Sequence, residues 1–207
     1  MSLSTKSYRF DLQQGQVTGV YEVTRGRLHK EKMDAGDQWQ VDGQEVTRTH
    51  FSRGEVETTV YADNDGDGLF TKSFELEVLA SGSRARQEDH RFSLADGTLA
   101  TGSSLTDADL LASMQELSRR GWKSERLDID DAMDAVTVDG EVYIVHAETQ
   151  RGGGLEFSIY RDGDGDGLWT EIAEGETTGA YVTADGQVDL VGIAQAGLLA
   201  PADFIIG

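Results

Sequence analysis

Residues 56–78 read VETTVYADNDGDGLFTKSFELEV, and the way this stretch alternates decides the fold. Val56, Thr58 and Val60 occupy every second position before the acidic run; Phe74, Leu76 and Val78 do so after it, with Glu75 and Glu77 between them. A period of two marks a strand with one buried face. The stretch therefore predicts strand, loop, strand, with Asp63, Asp65 and Asp67 carried in the connecting loop.

The same element returns later in the chain. LEFSIYRD (Leu155–Asp162) answers VETTVYAD, setting Leu155, Phe157, Ile159 and Tyr160 against Val56, Thr58, Val60 and Tyr61. DGDGDGLWT (Asp162–Thr170) then answers DNDGDGLFT (Asp63–Thr71). Upstream, Met33–Val46 and Met133–Val145 share MDA and VDG; downstream, Asp96-Gly97 and Asp185-Gly186 recur. Internal similarity of this kind signals repeated structural units, and Asp-Gly between alternating residues signals a hairpin. The expectation is a mainly β protein, an antiparallel sandwich or barrel built from two related repeats, residues 1–104 and 105–207. TDADLLASMQELSRRGW departs from the pattern. Thr106 as N-cap, Asp107 and Asp109 in the first turn, an apolar face of Leu110, Leu111, Met114 and Leu117, Arg119 and Arg120 at the end and Gly121 as stop predict an amphipathic helix over about 106–120.

Aspartates at loop positions 1, 3 and 5 with glycine at 6 let three carboxylates converge on one hard cation, while the glycine allows the sharp turn. Without an ion the neighbouring carboxylates repel one another. The pattern resembles the DxDxDG calcium loops of EF-hands, dockerins and integrin-type propeller loops, over the loop residues alone. The resemblance implies Ca2+ at two sites, in loops 63–75 and 162–174. Asp63, Asp65 and Asp67, the Leu69 carbonyl and Thr71 are the candidate ligands of the first; Asp162, Asp164, Asp166, the Leu168 carbonyl and Thr170 those of the second. An EF-hand places a bidentate glutamate at position 12. Here that position is Phe74 or Ala173, and the glutamate follows one residue later, as Glu75 and Glu174. A strand-loop-strand variant with Glu75 and Glu174 as closing ligands is therefore expected, rather than helix-loop-helix. Affinity should match extracellular modules, on the order of 10⁻⁴ to 10⁻³ M. Such sites stay empty in the cytosol, which points to a secreted or cell-surface protein.

Composition narrows the partners. The chain has 207 residues and a formal net charge of −20, most of it in the C-terminal half. This disfavours nucleic acid and anionic lipid and favours cations. No apolar run approaches the roughly 18 residues of a membrane span, so no membrane insertion is expected. No cysteine is present, which removes disulfides and thiolate metal sites. No classical signal peptide opens the chain. The acidity, the glycine content and the apolar DFIIG ending resemble leaderless type I exported proteins.

Catalytic patterns are missing from the sequence. His29, His50, His90 and His146 show no HExxH or other ligand spacing, and none is assigned a metal. No GxSxG, P-loop or dinucleotide fingerprint occurs. The run LDIDDAMD supplies Asp128, Asp130, Asp131 and Asp134 and reads as a solvated segment before a third cation site or half of an acid/base pair. The expected function is a non-catalytic, calcium-binding secreted or surface module, with carbohydrate or a further domain of a larger exported protein as partner. The alternatives are a calcium-dependent carbohydrate-binding module, using Trp39, Trp169, Tyr61 or Tyr160, and a calcium-dependent polysaccharide-acting enzyme.

Overall fold

Strand alternation organises most of the described residues. The structure is a computed structural model that describes residues 6–52, 54–79, 89–94, 97–98, 111–118, 121–125 and 131–199. Its first half contains the meander β1 (Ser7–Gln13), β2 (Gln16–Thr24) and β3 (Arg27–Lys30), then a second meander of β4 (Asp37–Asp42), β5 (Glu45–Ser52), β6 (Glu55–Ala62) and β7 (Phe70–Leu79). The second half begins with β8 (Asp89–Leu94), β9 (Gly97–Thr98), β10 (Leu111–Ser118) and β11 (Gly121–Glu125). It continues with β12 (Asp131–Val138), β13 (Glu141–Thr149), β14 (Leu155–Arg161) and β15 (Trp169–Thr177). These strands form one antiparallel, open, sandwich-like sheet, in accord with the mainly β expectation. Gln14-Gly15, Arg25-Gly26 and Asp139-Gly140 all have positive φ, the geometry whose twist suits two-residue hairpins.

The halves meet where β7 pairs with β15, and the register there has a local two-fold: Glu75 faces Glu176, Leu76 faces Gly175 and Glu77 faces Glu174. Each of these strands carries a bulge early in its length. Val60 pairs with Phe74 and Tyr61 with Lys72, leaving Ser73 extra; Ile159 pairs with Ala173 and Tyr160 with Glu171, leaving Ile172 extra. Bulges bend a strand, and here the partner changes across them. Before the bulge β7 pairs with β1 through Phe70 and Thr71, and β15 pairs with β8 through Trp169 and Thr170; beyond it they pair with each other. In this arrangement β8 and β9, which a division at residue 104 assigns to the first unit, pair within the second half.

Three apolar clusters follow from these crossings. Phe10, Val17 and Val20 pack on Val46 and Tyr61, with Trp39 and Phe70 against them; Phe92 and Met114 pack on Ile144, Tyr160 and Trp169. Corresponding ring pairs are Phe10 with Tyr61 at 5.3 Å and Phe92 with Tyr160 at 5.1 Å. The largest cluster lies on the opposite face of the central strands. There Val60, Phe74, Leu76, Val145, Phe157 and Ile159 are covered by Val188, Leu190, Ile193 and Leu199. Leu190 and Ile193 belong to a short helix, α1 (Leu190–Gln195), whose cap Asp189 accepts from the Gly192 amide. Burying side chains such as Phe74 and Leu76 stabilises by roughly 1.5–3 kcal/mol each.

The helix expected over 106–120 is corrected for 111–118, which form β10; residues 106–110 and 119–120 lie outside the described residues. Helix propensity is worth tenths of a kcal/mol per residue. Backbone pairing with β8 and β11 on both sides, together with burial of Met114 against Phe92, outweighs it. Leu117, assigned to the apolar helix face, is instead 37% exposed.

Candidate metal centre

Each acidic loop joins the end of one central strand to the bulged start of the next. Asp63 is buried, and its carboxylate organises the loop around it. Its Oδ1 accepts from the Gly66 amide at 2.8 Å and the Asp67 amide at 3.2 Å, and its Oδ2 from the Gly68 amide at 2.9 Å. Asp67 Oδ1 accepts from the Leu69 amide at 2.7 Å. The second loop repeats this. Asp162 Oδ1 accepts from Gly165 at 2.7 Å, Asp162 Oδ2 from Gly167 at 3.0 Å, and Asp166 Oδ1 from Leu168 at 2.8 Å. The required backbone is left-handed at matching places, with φ of 75° and 83° at Gly66 and Gly68, and 78° and 83° at Gly165 and Gly167. An L side chain disfavours such values.

The three aspartates of each loop converge. An oxygen from each of Asp63, Asp65 and Asp67 lies within 4.8 Å of the others, and the same holds for Asp162, Asp164 and Asp166. Thr71 and Thr170 are the second residues of their strands; the Thr71 hydroxyl donates to the Ala62 carbonyl at 3.5 Å. Glu75 and Glu174 are not among the carboxylates of either triad. Beyond the bulge Glu75 stands opposite Thr59 and Glu176, and its Oε2 accepts from Lys72 Nζ at 2.6 Å. Glu174 stands opposite Ser158 and Glu77. Phe70 and Trp169 hold the loop exits in the aromatic clusters, Phe70 edge-on to Phe10 at 5.1 Å and Trp169 edge-on to Phe92 at 6.0 Å. Of the four aromatics named for a sugar platform, Tyr61, Tyr160 and Trp169 are buried. Trp39 lines a cleft of about 340 Å³ with Tyr8, Tyr61, Lys6, Arg48 and Lys72.

Sequence reasoning missed two groups on the sheet face that carries Glu75. One is Asp37, whose Oδ1 accepts from Arg48 Nε at 2.9 Å and lies 2.8 Å from His50 Nδ1, while its Oδ2 accepts from the Asp34 amide at 2.8 Å. Burial alone would raise the Asp37 carboxyl, but these donors hold it below the usual carboxylate range. The other brings together Asp131, His146 and Glu148. Asp131 came from the acidic run read as solvated, and His146 was assigned no metal. His146 and Glu148 share a face as alternate residues of β13, and strand pairing brings Asp131 to them from β12. Asp128 and Asp130 of that run lie outside the described residues.

No protein-family model matches the chain, and neither a curated protein nor a solved structure matches it.

Proposed function

We propose that the chain is a non-catalytic, calcium-stabilised β-module of a secreted or cell-surface protein, built from two related repeats that each hold one Ca2+ in the DxDxDG loop. The observation that carries this reading is the pair of loops with the same amide-to-carboxylate bonding and the same convergence of three aspartates, at equivalent crossings of the sheet. The ion neutralises the triad and fastens the segment just before the bulge where β7 leaves β1 for β15, or β15 leaves β8 for β7. Calcium thus acts on the strand crossings that join the halves, and its role is structural.

The test is calorimetric titration of the chelator-stripped protein with Ca2+, alongside thermal melting, on the parent chain and on Asp65→Ala with Asp164→Ala. Two sites are expected, each adding about 2.7 kcal/mol of stability at an ion concentration 100 times its Kd. The double variant should lose both. Absence of heat and of any melting shift in the parent chain would leave the loops as acidic turns and remove the argument for an extracellular setting.

A further inference from the structure

The strand registers place one corner of the first half onto its counterpart in the second. Asp37 faces His50 and Trp39 faces Arg48 across β4 and β5; Asp131 faces Glu148 and Met133 faces His146 across β12 and β13. Arg48 then faces Thr59, and His146 faces Ser158, the matched residues of β6 and β14. In the second half an imidazole thus stands at the guanidinium position, and a carboxylate stands at the position of His50.

The shorter side chain leaves a gap. Where Arg48 Nε meets Asp37 Oδ1 at 2.9 Å, His146 Nε2 stops 3.8 Å from Asp131 Oδ2. His146 Nε2 is shut off from solvent and has no hydrogen-bond partner among the described residues. Glu148 lies directly opposite Asp131 in the ladder, and one ligand atom from each of the three residues lies within 4.8 Å of the others.

We propose that Asp131, His146 and Glu148 bind a divalent transition ion of the zinc class, at a site separate in position and chemistry from the acidic loops. Zinc binds imidazole nitrogen and carboxylate oxygen at about 2.0–2.2 Å. A separation of 3.8 Å is too long for a hydrogen bond and short enough for one ion to span. The buried nitrogen selects ions that favour imidazole over calcium and magnesium, which take oxygen. Asp131 and His146 are 9% and 13% exposed in their side chains, whereas Glu148 is exposed. The ion therefore enters from the Glu148 side and keeps a coordination position open to water.

The test titrates the full chelator-stripped chain with Zn2+ and with Co2+, in excess Ca2+ so that the loops do not compete. One site per chain is expected, with Co2+ giving visible absorption bands shaped by a nitrogen ligand. His146→Gln and Glu148→Gln should each weaken Zn2+ at least about 10-fold, within the range seen when ligand shells are damaged, while Asp65→Asn with Asp164→Asn leaves it unchanged. His146→Arg rebuilds the first-half arrangement and should abolish binding while the chain stays folded by circular dichroism. Unchanged Zn2+ affinity in folded His146→Gln, or no saturable binding by the parent chain, overturns the assignment.

Discussion

Next to the central strand pair, the two halves fill equivalent space with opposite choices. In the first half Leu76 of β7 lies opposite Thr58; in the second, Gly175 of β15 lies opposite Phe157. Leu76 and Gly175 face each other across the local two-fold, and a side chain at Gly175 is blocked by the Glu75 carbonyl and the Phe157 ring. The bulk deleted at Gly175 is supplied by the Phe157 ring reaching over it. A similar exchange occurs at the outer corner, where Arg48 and His50 give way to His146 and Glu148. The loops show no exchange of this kind: their aspartates match, Gly66 and Gly68 match Gly165 and Gly167, and the amide bonds to the first and third aspartates recur. Matching strand registers thus go with different packing and charge at these two places, while the two loops carry the same acidic pattern.

The comparison breaks most sharply at Gly175. A Cβ there would run into the Glu75 carbonyl oxygen and lie 2.7 Å from the Phe157 ring. Gly175→Leu should cost more than the roughly 1–3 kcal/mol of ordinary overpacking, and adding Phe157→Leu should not restore it, because the nearest obstacle is backbone. Urea unfolding checks this; full rescue by the second change would mean that the ring alone sets the limit.

A smaller effect is expected at the charged corner. Asp37 has a side chain only 2% exposed, and Arg48→Met removes its guanidinium partner, for about 3 kcal/mol at neutral pH. The sign with pH follows from the depressed Asp37 carboxyl. Its stabilisation is fully present above the ordinary carboxylate value near 3.9 and is lost as pH falls through the lower folded-state value. Arg48→Met should shrink that contribution and complete its loss at a higher pH, as read from unfolding curves between about pH 2 and 7.

The loops differ only slightly, and substitutions there measure by how much. Asp63 is buried and accepts one amide more than Asp162, from Asp67; its own amide also donates to the Gln44 carbonyl at 2.9 Å. In calcium-free solution Asp63→Ala should cost about 1 kcal/mol more than Asp162→Ala, the worth of roughly one hydrogen bond. Equal melting shifts would show that the extra amide contributes nothing. The least net effect is expected for His146→Arg without metal, a melting change of a few degrees at most, because the ion pair gained with Asp131 is offset by the cost of burying a longer charged side chain. A large fall instead would show that the corner cannot take the longer side chain.

What the sequence determined by itself was local. Alternation in residues 56–78 and 155–162 specifies strands because side chains of a strand point to opposite faces in turn. The loops were legible because Asp63 and Asp162 bond to amides within five residues of themselves. Tertiary structure decided which strands became neighbours. It turned 111–118 from a plausible helix into β10, since backbone pairing with distant strands outweighs a weak local preference. Glu75 and Glu174, expected as closing ligands, are not among the carboxylates of either triad and stand beyond the bulges at Ser73 and Ile172. α1 escaped notice as a single short turn with a glycine inside it, held by burial of Leu190 and Ile193. Asp131 and His146 acquire a common chemistry only through the register of β12 on β13, which alternation along either strand alone does not specify.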